Sequence, residues 1–463
     1  MFGKSKFYSV ILLTICVIGF IFSGCDALDG FSSKGIQELL QPPVSSEENA
    51  KIKEALEKHV SGSFVLMSPT SGDYRSAYVV QDLDRDMSNE AIVFYKQRAN
   101  MFLGFIDKNT ENDSWVTKQV IQSEASDIYS ISFCDFDNDS VKEILVMWER
   151  NDSQTMRLLE VYKVVSGDTI HLVGSVECSE ALVLDLIPSN DDLEIVTLTL
   201  ETIVGVSSQS IARLYTYDTD AEDIEFESGI VLNNLAIGYA KISAAPEAEG
   251  YGQVCRARVV VDSYCRDSQS MMTEMIYWSQ NDNDSSGSLA LHKWGTFERV
   301  STVTSMDVNN DGLIDIPQLI EFANTNAVGI TDNKYITDKH IVAWTSYDFE
   351  PQQRTIKYTV VNPDFNYMMV IPKEWIDDAA LIENDLDNEY IIYKWDKEKQ
   401  NPSEIYMASK VFTLSEWTDY EEKNKDNEEK YRLVKVYGSL VYAVRFGKIG
   451  YPGYYQTAIE TIN

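Results

Sequence analysis

The chain is poor in the residues that most often do chemistry. It has four histidines and six cysteines in 463 residues. His59, His171, His292 and His340 stand apart, and none belongs to an HExxH pair, so zinc catalysis of that kind lacks its ligands. No CxxC pair occurs either, which removes zinc sites built on that spacing. GxSxG, the P-loop and GxGxxG are missing, and "GVSSQS" at Gly205 does not make a nucleophile elbow. Positive charge is scarce as well: 39 Lys+Arg face 73 Asp+Glu, a formal charge of −34. So acidic a surface repels nucleic acid and anionic lipid and suits divalent cations or cationic ligands. Glycosidase-type carboxylate pairs cannot be picked out among so many acids.

Long apolar runs are also lacking. The longest, Val10 to Phe22, is too short for a comfortable membrane span, and no later run approaches ~18 residues. Lys4 and Lys6 precede this run and Ser23-Gly24-Cys25 follows it. The pattern resembles the signal peptide and lipobox of bacterial lipoproteins. The resemblance implies cleavage after residue 24, acylation of Cys25, and a protein held at the extracytoplasmic face of the cell membrane. Residues 25–62 then read as lipid anchor, tether and a short helix, with Ser46 as cap and Ile52, Leu56 and His59 on one face. With Cys16 and Cys25 set aside, four cysteines remain, of which Cys255 and Cys265 could close a hairpin disulfide.

What the chain does have is aromatic and β-branched residues in short runs, which from Phe64 onward read as strands. A repeat organises them. "VVQDLDRDMSNEAIVFY", "ISFCDFDNDSVKEILVMW" and "VTSMDVNNDGLIDIPQL" share a strand, an acidic loop and a second strand. "LVLDLIPSNDDLEIVTL" is a degraded copy. The first aspartates fall at Asp82, Asp135, Asp185 and Asp307, with "VVVDSYCRDSQSMM" from Val259 as an eroded fifth unit. Intervals of 53 and 50 residues, each with room for four strands, are the pattern of propeller blades. The expected fold is mainly β: a β-propeller of five to seven blades over residues 63–355, followed by a small α+β domain over 356–463.

The loops carry the candidate chemistry. Asp307, Asn309, Asp311 and Asp315 place oxygen ligands at positions one, three, five and nine, and Gly312 at position six permits the wrap. Asp135, Asp137, Asp139 and Glu143 repeat the spacing with Ser140 in place of the glycine. Asp82, Asp84, Asp86 and Glu90 repeat it with Met87 there, where a left-handed backbone costs ~1–2 kcal/mol. The unit at Asp185 has lost two of its carboxylates to Ile187 and Ser189, and no metal is expected there. Position twelve is Gln318, Val146 or Val93, and the flanks are β, so these are not EF-hands. Asp and Asn also stabilise turns unaided.

The combination resembles the FG-GAP and VCBS repeats of surface-protein β-propellers over roughly residues 76–345. That resemblance implies structural calcium at the three full loops. The function expected is a calcium-braced binding or scaffolding module for a protein or glycan partner at the cell surface, without nucleic acid. The alternative is a propeller-type polysaccharide hydrolase or lyase. Tyr74 and Arg75 could contact a ligand, and Trp148, Trp278, Trp294 and Trp344 could line a glycan-binding face or else fill the spaces between blades.

Overall fold

The computed structural model describes residues 47–462 apart from scattered stretches, of which 202–208 and 326–338 are the longest. The leader, Cys25, the tether and Ser46 lie outside the described residues. The described chain is mainly β, and nearly all of its strands fall into six antiparallel sheets. Helix α1 (Glu47–His59) comes first. The first sheet holds β1 (Val65–Leu66), β2 (Tyr78–Gln81), β3 (Glu90–Gln97), β4 (Asn100–Asn109) and β5 (Ser114–Ser123). The second holds β6 (Asp127–Cys134), β7 (Glu143–Glu149), β8 (Arg157–Val165) and β9 (Thr169–Cys178). The third holds β10 (Glu180–Leu184), β11 (Glu194–Glu201), β12 (Gln209–Asp218) and β13 (Asp223–Val231).

The fourth sheet begins with β14 (Ala236–Ala245), after which β15 (Ala248–Gly250) and β16 (Gln253–Cys255) form a separate ribbon. It continues with β17 (Arg258–Cys265), β18 (Met271–Gln280), β19 (Gly287–Leu291) and β20 (Phe297–Arg299). The fifth is made of β21 (Ile316–Glu321), β22 (His340–Ser346), β23 (Arg354–Asn362) and β24 (Tyr367–Val370). The sixth runs β25 (Ala379–Asn384), β26 (Glu389–Asp396), β27 (Asn401–Thr413), then β28 (Arg432–Tyr437) and β29 (Leu440–Phe446), with helix α2 (Leu414–Lys423) between β27 and β28. The last strand, β30 (Ile459–Thr461), returns to the edge of the fifth sheet beside β24.

Burial explains the strand sequences. β3, β7 and β11 are buried on both faces and read as nearly continuous apolar runs, as doubly covered strands must. β5, β9 and β13 lie further out and mix exposed with covered positions. Consecutive sheets pack face to face. Ile92, Phe94 and Phe105 of the first meet Ile144, Val146 and Trp148 of the second, with Phe94 edge-on to Trp148 at 5.7 Å. Leu145 and Met147 then meet Ile195, and Val196, Leu198 and Leu214 meet Val259, Val261 and Trp278. Val260 and Met275 meet Ile316 and Tyr347, and Ile341 and Met369 meet Leu381, Ile392 and Val444.

Both ends of this series carry a helix. Ile52, Ala55 and Leu56 of α1 cover the far face of the first sheet at Ala91, Val93 and Tyr95. Trp417 of α2 covers the far face of the sixth at Phe412, Val441 and Ala443. Those are the two faces a closed ring would press together, and no core cluster among the described residues joins the first sheet to the sixth.

Four sequence expectations need correction. His59 is exposed, and Ala55 takes its place on the buried face of α1. The stretch "SEWTDYEEKNK" reads in sequence as a helix capped by Ser415, whereas the cap of α2 is Thr413, in a capping box with Glu416. A domain boundary at 355/356 would fall inside β23, which pairs with β22 on one side and β24 on the other. Residues 379–446 form a further five-stranded antiparallel sheet with one helix. Finally, Val259 to Cys265 is the second strand of its sheet, so the loop of that unit is 246–257 and not the residues after Asp262. The side chain of Cys255 lies outside the described residues, and so does its pairing with Cys265. No helix among the described residues is long and apolar enough to cross a membrane.

Candidate metal centres

The first acidic loop joins β2 to β3, the second joins β6 to β7, and the third lies within the one bridge that Met306 and Asp315 form ahead of β21. All three take the same wrap, with positive φ at positions four and six. The values are 61° and 71° at Arg85 and Met87, 54° and 78° at Asn138 and Ser140, and 58° and 85° at Asn310 and Gly312. The missing glycines do not prevent the turn; they leave it strained.

In the first loop, ligand oxygens of Asp82, Asp84 and Asp86 all lie within 4.8 Å of one another. Asp84 Oδ1 accepts from the Asp86 N–H at 3.1 Å, and Asp86 Oδ1 from the Ser88 N–H at 2.6 Å. Asp82 Oδ1 is buried and accepts no hydrogen bond. Burial raises Asp84 above the usual carboxylate range, opposed by the Asp86 N–H and helped by repulsion from Asp86, Asp82 and Asp107. Glu90, at position nine, is 1% exposed. Burial pushes it up to about 7, against the pull of the Leu83 N–H and with added repulsion from Asp84, Asp86 and Asp107.

The second loop is similar but partly engaged. Asp135 Oδ2 accepts from the Ser140 N–H at 2.9 Å, while its Oδ1 is buried and accepts no hydrogen bond. Asp139 pairs with Lys163 at 3.1 Å, so a cation of the chain already stands at this loop. Asp137 lies outside the described residues. In the third loop the backbone takes more of the oxygens. Asp307 accepts from the N–H groups of Asn309, Asp311 and Gly312, and Asp311 accepts from the Leu313 N–H and the Asn309 side-chain amide. The loop that matches the sequence pattern most fully is thus the one most satisfied by its own turn, and the loop with Met87 at position six is the one whose carboxylates converge among the described residues.

The position-nine acids have a role the spacing did not reveal. Glu90 accepts from the Leu83 N–H at 2.7 Å, Glu143 from Phe136 at 2.9 Å and Asp315 from Val308 at 3.2 Å. Glu194, in the copy without the other ligands, does the same with Leu186 at 2.7 Å. All four are at most 1% exposed. This buried carboxylate closes the loop whether or not a metal set is present, and its survival in the degraded copy was the available signal. In the fourth sheet the corresponding position, at the start of the second strand, is the buried Arg258.

These residues fit a hard cation. Several carboxylates converge, and buried oxygens of Asp82 and Asp135 lack the hydrogen bonds a buried acceptor normally has. Bound calcium would neutralise the repulsion among the carboxylates and supply a partner for those oxygens.

A second feature lies between the inner strands. A cavity of about 700 Å³ is lined by β6, β10 and the 71–74 segment. Glu180 at its wall is raised by burial in spite of its ion pair with Arg157 at 2.9 Å. The Arg157 guanidinium lies 3.5 Å from the Tyr129 ring centre. Tyr74 packs edge-on against Phe133 at 5.2 Å, and Arg75 donates to the carbonyls of Thr70 and Gly72, so this pair shapes its own segment. Trp148, Trp278 and Trp344 are at most 3% exposed and fill the core; Trp294 lies outside the described residues.

No family model matches the chain, and no curated protein does. Among solved structures, Sqt1 of Saccharomyces cerevisiae is 10% identical, covering 72% of this chain and 75% of its own, at a TM-score of 0.33. A putative 6-phosphogluconolactonase of Bacteroides fragilis is 9% identical over 73% and 92% at 0.27. A periplasmic gluconolactonase of Pseudomonas aeruginosa is 8% identical over 66% and 91% at 0.22.

Proposed function

We propose that the protein is a lipid-anchored extracytoplasmic lipoprotein. Its six sheets act as propeller-type blades in a calcium-braced binding or scaffolding module for a protein or glycan partner. The observation that carries this reading is the first loop. Three carboxylates converge there around a buried, unpartnered oxygen, held in a strained wrap at the junction of two strands. Three unscreened carboxylates repel one another, and a plain turn gains nothing from the third. A divalent ion turns that repulsion into attraction and fixes the loop between strands one and two of a blade. The strongly negative surface favours the arrival of such ions.

The test is a thermal melt in millimolar calcium and again with chelator. A site at one hundred times its Kd contributes ~2.7 kcal/mol, enough to raise the midpoint by several degrees. Asp84→Asn is expected to shrink that rise. Met87→Gly is expected to add ~0.5–1 kcal/mol in either buffer, because strain at position six is relieved and the Met87 side chain, 93% exposed, packs on nothing. Equal midpoints with and without calcium would sink the metal reading.

The anchor is tested separately. The wild-type chain is expected in the membrane fraction and extracted by detergent, and Cys25→Ser should release it. A Cys25→Ser protein that stays equally membrane-bound would overturn the acylation at that residue.

A further inference from the structure

In the first four sheets a first strand runs along the inner edge of the second. Tyr78–Gln81 pairs with Val93–Glu90, Asp127–Cys134 with Glu149–Glu143, Glu180–Leu184 with Leu198–Glu194, and Ala236–Ala245 with Cys265–Arg258. In the fifth sheet this pairing shrinks to one bridge. The N–H and C=O groups of Met306 and Asp315 bond each other at 2.9 and 3.1 Å, and β21 beyond them has no neighbour on that side among the described strands.

Arg299, just before this bridge, is locked to Asp262 and donates to the Val303 carbonyl at 2.8 Å, and residues 300–304 belong to no described strand. Two adjoining cavities of about 880 and 600 Å³ open there, and Val300, Leu319 and His340 line both.

The register says which backbone groups face this opening. Asp315 directs both of its groups toward Met306, and directions alternate along an antiparallel strand. Leu319, four residues on and without a register shift, therefore turns its N–H and C=O to the same side, away from Val342 on β22. Phe297 and Glu298 line the larger cavity beside it, and Val303, Val342 and Val361 line the smaller one.

We propose that the inner edge of β21 is a docking site for an extended peptide of a protein partner. The peptide supplies the first strand that the fifth sheet lacks. An extended strand is what occupies this position in the four preceding sheets. Main-chain bonds to Leu319 give affinity, and the side chains of the peptide alternate between the two cavities, basic ones toward the larger and apolar ones toward the smaller. Glu298 lines the larger cavity, and the whole chain is strongly acidic, so the peptide carries basic residues on that side. Lys339 lines the smaller cavity. This assignment gives the binding module a partner class and rests on that reading, yet it does not require calcium at the loops.

The probe is a fluorescent peptide alternating lysine and valine, six residues long to match β21, titrated by anisotropy in calcium and in chelator. Saturable binding is expected. The counterpart alternating glutamate and valine, and a version with proline at every second position, should bind at least about ten-fold more weakly. Val300→Arg, at a position 68% exposed, should abolish binding without moving the melting temperature. The Leu319 amide should exchange rapidly in the free protein and become protected in the complex.

Equal binding of the proline peptide would overturn the proposal, since it removes main-chain pairing. Unchanged binding to Val300→Arg would overturn it too. So would a Leu319 amide already protected without peptide: independent of concentration, that means the chain fills its own edge, and rising with concentration it means a second copy does. Binding lost only in chelator would tie docking to the loops, whereas a calcium-insensitive melt with intact docking would remove the metal and keep the edge.

Discussion

Replacing Arg299 with methionine is expected to lower stability by about 3–5 kcal/mol, the usual cost of leaving one charge of a buried pair without its partner. The side chains of Arg299 and Asp262 are 2% and 1% exposed and meet at 2.8 Å. Arg299 also donates to Thr273 at 2.6 Å, and Asp262 accepts from the Ser305 N–H at 2.6 Å and the Ser305 hydroxyl at 3.0 Å. Removing the guanidinium leaves the Asp262 carboxylate in a site that water does not reach. Urea denaturation of the purified variant measures the loss. The double variant Asp262→Leu with Arg299→Met should recover part of it, because an apolar pair needs no solvation while the buried Ser305 N–H and hydroxyl lose their acceptor. A single-variant loss below about 1 kcal/mol would mean that water enters and screens the pair. The pair fixes Ser305, two residues before Asp307, so the same substitution should also loosen the third acidic loop.

That network was not legible in the sequence. Asp262 and Arg299 are 37 residues apart, and no period or spacing joins them. Strands and acidic loops, by contrast, were readable because their signals are local. β3 and β7 are apolar runs bounded by turn residues, and the aspartates recur at two-residue steps. Strands that do not follow the full loop spacing are harder to place. The loop of the sixth sheet, Asp385-Leu386-Asp387 between β25 and β26, is acidic but too short for that spacing, so the sheet reads as a different domain, while the fourth reads out of register because Asp262 resembles a loop aspartate. The third loop fits the sequence pattern best, and its oxygens are the most occupied by backbone N–H groups. Ligand spacing specifies which atoms can gather, and the backbone decides how many remain to bind.

Leu56→Ala on α1 is expected to cost about 2–5 kcal/mol, with thermal and urea midpoints falling together. Leu56 and Ile52 are fully buried. They lie on Ala91, Val93 and Tyr95, while the intervening Ile92 and Phe94 point to the second sheet, so β3 needs cover on both faces. Gly104 on β4 makes the fit close: a Cβ there would stand 3.2 Å from the Leu56 Cδ1 atom. Stacked repeats that do not close on themselves must shield their terminal faces, and helices are a common way to do so. The helix α2 answers the same need at the sixth sheet, through Trp417. If Leu56→Ala cost less than about 1 kcal/mol, the far face of the first sheet would have to find other cover, and the sixth sheet closing a ring against it would become the better description. A loss in the expected range makes α1 part of the fold, as the cover of the far face of the first sheet.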